Sequence, residues 1–80
     1  MTDADLLRVA ATAAGYDETP GGLAEFGATV LQLRERHVRN VRGGEGALSP
    51  LARIVCAAIV PQPALARELE HALIHGAPHV

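Results

Sequence analysis

Apolar side chains recur along this chain at three- and four-residue spacing, the pattern of helices that each bury one face. Thr2 is placed to cap a first helix from about Asp3 to Ala14, with Asp3 and Asp5 in its first turn, where the helix dipole favours anions. Leu6, Leu7, Val9, Ala10, Ala13 and Ala14 then form one apolar face, and Gly15 is the expected stop. Residues 17–22, DETPGG, read as a loop, although Thr19 followed by Pro20 also fits a cap and first helical position that would start the next helix early.

The longest helical pattern runs from Leu23 to Arg42, LAEFGATVLQLRERHVRNVR, and the sequence predicts one central helix there. At about 100° per residue, Leu23, Phe26, Gly27, Val30, Leu31, Leu33, Val38 and Val41 share one broad stripe. Arg34 falls near the middle of that stripe and His37 within it, whereas Glu25, Gln32, Arg36 and Arg39 project from the opposite side. A guanidinium inside an apolar stripe must snorkel, meet a carboxylate or contact a partner, because burying it unpaired is costly.

Residues 43–49, GGEGALS, form a Gly-rich loop that lacks the Lys-Ser or Lys-Thr ending of a phosphate-binding loop and follows a helix instead of a strand. Ser49 and Pro50 start a third helix, Leu51 to Val60, apolar nearly all round with Arg53 its only charge. Such a helix is expected to be the most buried element or to lie at an oligomer interface. Pro61-Gln62-Pro63 opens a fourth helix to about His75, stopped by Gly76, with Leu65, Leu69, Ala72 and Leu73 toward the core. The expected fold is all-α, a compact bundle of four short helices arranged as two helical hairpins joined by the Gly-rich loop. Residues 1–76 would make a single helical domain and residues 77–80 a flexible C-terminal tail.

Composition changes this picture in three ways. An 80-residue domain buries only roughly 60–65% of its unfolded surface, so a second copy or a larger partner would add needed stability. The apolar residues are mostly Ala and Leu, with Tyr16 and Phe26 the only aromatics, which suits closely packed helices better than a sheet. The net charge of −2 hides an asymmetry: residues 1–25 hold five acids against Arg8, and residues 34–53 hold five arginines against Glu35 and Glu45. All seven basic residues are Arg, whose guanidinium makes bidentate contacts that an ammonium does not. The lone Cys56 fits a reducing compartment, and neither a membrane-length apolar run nor a basic secretory start is present, so a soluble cytoplasmic protein is expected.

Candidate chemistry is sparse. His71, His75 and His79 recur every four residues, but Gly76 and Pro78 interrupt the series, and solvated histidines near a helix C-terminus explain them better than a metal site. Cys56 lies in an all-apolar helix, where a thiol serves as a small core residue. No catalytic residue, cofactor or metal is expected, and the chain reads as a non-enzymatic protein. The strongest candidate surface is RERHVRNVR, with Arg34, Arg36, His37, Arg39 and Arg42 as partner-binding residues for an acidic protein surface. Nucleic acid fits less well, since the whole chain is slightly acidic and no aromatic lies among the arginines. The bland alternative is a solvated helix end whose cations complement the dipole.

Residues Val60 to Arg67 partly resemble the turn and recognition-helix start of a helix-turn-helix, which would place Gln62, Ala64 and Arg67 at base or phosphate contacts. Ile59 then stands where the turn Gly is usual and Glu68 where a buried aliphatic is expected. A small DNA-binding regulator is therefore the alternative reading, and a homodimer built on the third helix is a third.

The opening LLRVAATAAGYDE, followed by GLAEFGATVLQLRER, resembles short accessory proteins of bacteriophages and mobile elements: an Ala-rich helix ends in a Gly and an aromatic before a second helix with a Leu, Phe and Glu-Arg pattern. The resemblance covers about the first half and carries no catalytic residues. It implies a protein that binds a host protein to redirect or block it, inhibitors of bacterial defence nucleases included.

Overall fold

The computed structural model describes residues 1–75, all of whose regular structure is helical: α1 (Asp3–Ala13), α2 (Pro20–Thr29), α3 (Glu35–Arg42), α4 (Pro50–Ile59) and α5 (Ala64–His75). Three helix starts follow the sequence signals. Thr2 and Asp5 form a reciprocal capping box, with the Asp5 N–H donating to Thr2 Oγ1 at 3.1 Å and the Thr2 N–H to Asp5 Oδ2 at 3.0 Å. Thr19 accepts from the Gly22 N–H ahead of Pro20, so the early start of α2 is the one adopted. Ser49 does the same for α4 through the Ala52 N–H. Gly15, at φ +92°, turns the chain after α1 while the Tyr16 N–H donates back to the Ala11 carbonyl.

The long central helix does not form. The chain leaves α2 at Val30, passes through Gln32 in the left-handed region at φ 57°, and restarts at Arg34, the N-cap of α3. The Leu33 N–H donates to the Gly27 carbonyl at 2.8 Å, and the Gln32 amide donates to the Ala28 and Thr29 carbonyls, so the freed end of α2 is satisfied locally. The break folds α3 back onto α2 instead of letting one rod of about 30 Å overrun the small core. All-helical architecture is retained, but with five helices in place of the expected four. Instead of two hairpins joined by a loop, α1 lies between them and packs against α2, α3 and α4, while α5 docks chiefly on α4.

Leu7, Phe26, Val38, Val41, Cys56 and Ile59 are the largest fully buried side chains. Tyr16 covers the end of this core edge-on to Phe26, with ring centroids 5.4 Å apart. Close approach of α3 to α2 depends on Gly27, whose Cα lies against Val38. The third predicted helix, now α4, is not the most buried element: Ala52, Cys56 and Ile59 face inward, whereas Leu51 is 72% and Ile54 65% exposed. Leu73, predicted to face the core, is 48% exposed. A helix apolar all round cannot announce which side is covered, and this one is covered on one side only. No described helix is long and apolar enough to cross a membrane. The predicted stop at Gly76 and tail at residues 77–80 lie outside the described residues.

Candidate interaction surface

The break between α2 and α3 decides where the arginines go. Arg34 leaves the apolar stripe and becomes the exposed N-cap of α3, unable to cap because guanidinium offers no acceptor. Val38 and Val41 turn inward, His37 and Arg42 are half-buried, and Arg36 and Arg39 are exposed. Arg39 pairs with Glu35 one turn back at 3.4 Å, an exposed contact of little energetic weight. Arg34, Arg36 and Arg42 meet no carboxylate among the described residues. Arg39 and Arg42 line a notch of about 190 Å³ between α2 and α3 together with Glu35, Pro20, Ala24 and Val38.

Helix electrostatics separate these cations. Arg39 and Arg42 occupy the last turn of α3, where the dipole favours them. Arg34 and Arg36 stand at its first turn, where the dipole opposes positive charge and only Glu35 offsets them. The solvated-helix-end reading therefore explains Arg39 and Arg42 and leaves Arg34 and Arg36 without a stabilising role.

The acidic N-terminal segment does not neutralise α3 either. Asp3 accepts two bonds from Arg53 at 3.2 and 3.1 Å and one from the Leu48 N–H at 2.8 Å, tying the start of α1 to α4. Arg53 first, then the Leu48 N–H, hold the Asp3 carboxyl below its ordinary value of 3.8. Arg8 takes Asp5 at 2.6 Å and Glu18 at 3.4 Å. Sequence reasoning missed the Asp3 bridge because its partners are 45 and 50 residues away; an acid at N1 followed far downstream by an Arg in an otherwise uncharged helix was the available signal.

The alternative DNA-contacting residues are placed less favourably for phosphate. Gln62 lies in the α4–α5 turn with its N–H bonded to the Ile59 carbonyl, and Ala64 opens α5. Arg67 lines a cleft of about 640 Å³ with Tyr16, Asp17, Glu25 and Glu70. Three carboxylates against that one guanidinium make the cleft negative, and burial first, then Glu70 and Glu25, raise the Tyr16 phenol above its ordinary 10.0. Such a setting repels a nucleic-acid backbone.

Cys56 is fully buried and burial, with Asp3 nearby, pushes its thiol up to about 11, so it stays protonated at neutral pH. His71 and His75 approach each other with ring centroids 4.4 Å apart, and His79 lies outside the described residues. Among the described residues no group of three or more His, Cys, Asp or Glu side chains is gathered to hold a metal ion. A second feature went unforeseen, an apolar groove of about 370 Å³ between the α2–α3 connection, α4 and α5, lined by Val30, Leu31, Leu51, Val55, Leu69 and Leu73. Comparison with known proteins finds no matching family model, curated protein or solved structure.

Proposed function

We propose that this chain is a non-enzymatic protein–protein interaction module that docks an acidic surface of another protein against α3, through Arg34, Arg36 and Arg42, with His37 beside them. The observation that carries this reading is the placement of Arg34 and Arg36 at the dipole-opposed start of α3, neither in an ion pair with a carboxylate among the described residues. Arg34 at the N-cap and Arg36 and Arg42 on α3 offer bidentate contacts to Asp and Glu side chains. The resemblance of the first half to phage and mobile-element accessory proteins supports a partner in the bacterial cytoplasm, bound so as to inhibit it.

Capture from a bacterial lysate tests this with wild-type chain beside the double variant Arg34→Glu/Arg36→Glu. Both positions are exposed, so the variant should fold. The wild type should retain a partner that is released as salt approaches about 1 M, where screening shortens to ~3 Å, and the variant should not. Equal recovery by the variant at the same salt contradicts the reading.

A further inference from the structure

We infer that His71 and His75, one turn apart at the end of α5, form a two-nitrogen chelate for a divalent late first-row transition metal ion, with Cu²⁺ the best fit. This goes beyond the α3 docking proposed above and uses a different element.

The helix supplies the spacing. Residues four apart on an α-helix stand one above the other on the same face, so imidazoles at i and i+4 can reach one ion with the backbone undistorted. The rings of His71 and His75 already stand together, with centroids 4.4 Å apart. Their planes are tilted by 41°, which is neither the offset stack nor the edge-on contact that aromatic pairs prefer. Both residues are exposed and neither imidazole pairs with a carboxylate among the described residues, so the rings are open to an ion from solvent.

The separation selects the coordination geometry. A metal about 2.0–2.1 Å from a ring nitrogen lies about 3.2 Å from the centroid of that ring. Two such rings at a right angle about the ion have centroids about 4.5 Å apart, and at the tetrahedral angle about 5.2 Å. The observed 4.4 Å fits the right angle, which is the angle between neighbouring positions of a square-planar or octahedral ion. Cu²⁺ takes tetragonal nitrogen and oxygen surroundings, accepts imidazole and heads the affinity order of the divalent series. A structural zinc site would need the rings farther apart and two more ligands. Among the described residues no third His, Cys, Asp or Glu is gathered with these two, so two protein nitrogens fill two positions and water the others.

Electrostatics favour the same place. His75 lies in the last turn of α5, where the partial negative charge of the terminal carbonyls stabilises a cation. That dipole accounts for a cation at this end of the helix, as the sequence leads one to expect, but not for two rings brought side by side. The second nitrogen binds as an intramolecular ligand, so the pair should hold the ion far more tightly than either ring alone.

Calorimetric titration of the chain with CuCl₂ in a non-coordinating buffer reads this directly. The wild type should take up one ion per chain, and His71→Ala and His75→Ala should each weaken binding by about 10²-fold. Both positions are exposed and Ala favours a helix, so both variants should fold. His37→Ala and His79→Ala should bind as the wild type does, and Cys56 is buried out of reach of the ion. Electron paramagnetic resonance at substoichiometric copper should show two nitrogen donors in the wild type and one in either α5 variant. Wild type that binds no Cu²⁺, affinity that survives His71→Ala or His75→Ala, loss on His37→Ala or His79→Ala, or a single nitrogen donor in the wild-type spectrum would each overturn the assignment.

Discussion

Gly27 and Val38 are in direct contact: a methyl group added to Gly27 would overlap the Val38 Cγ2 atom, so the approach of α3 to α2 is set by the absence of a side chain at one position. Val38 is β-branched and nearly fully buried, with little freedom to rotate away. Gly27→Ala should therefore cost about 1–3 kcal/mol despite the better helix propensity of Ala, through overpacking. Chemical denaturation checks this, and in a double-mutant cycle Val38→Ala should relieve part of the Gly27→Ala cost.

Acid stability should depend on Asp3. Its folded carboxyl titrates below 3.8, so the unfolded state binds the proton first as pH falls. The stabilisation is complete above the unfolded value and is lost as pH drops from there through the folded one. Asp3→Asn should lower the denaturation midpoint at neutral pH and flatten its fall as the pH drops from about 4 downward. An unchanged acid limb would mean that the bridge to Arg53 and Leu48 contributes nothing to stability.

Cys56 gives the opposite dependence. The folded thiol keeps its proton to about 11 while the unfolded thiol ionises near 9.0, so stability should be intact below pH 9 and decline as pH rises toward 11. Cys56→Ala should reduce that alkaline slope. In the same experiment iodoacetamide should label the native protein only through opening, and label it rapidly in denaturant.

The two sides of α4 should respond differently to truncation. Ile59→Ala removes a fully buried side chain and should cost about 2–5 kcal/mol. Ile54→Ala, mostly exposed, should stay within about 0.5 kcal/mol. Thermal melts separate the two.

How much of this was legible in the sequence follows from the range of each interaction. Thr2 with Asp5, Thr19 with Pro20 and Ser49 with Pro50 act within one turn; the first and third start helices where the sequence places them, and the second starts α2 where the sequence offers a start only as the alternative to a loop over residues 17–22. Phe26, Val38 and Val41 are recognisable as core by their helical spacing, although the same signal fails for Leu73 on α5. The break at residues 30–34 is not recognisable, because no Gly or Pro marks it: Gln32 takes the left-handed conformation there and bonds the end of α2 with its own amide. The apolar spacing on either side is compatible with one continuous helix, whereas the contact of Val38 with Gly27 forms only when α3 folds back onto α2. Misplacing that break also misplaced Arg34, which the wheel buried in a stripe and the fold exposes at a helix start. The candidate site was thus found by its charges, while the reason to single out Arg34 and Arg36 within it came from the tertiary structure.

Hydrogen–deuterium exchange of the chain in its captured complex reads whether α3 meets the partner. Protection gained on binding should concentrate on residues 34–42, with the outer face of α4 unchanged. Protection confined to α1, α4 or α5, with α3 exchanging as in the free chain, would contradict docking on α3.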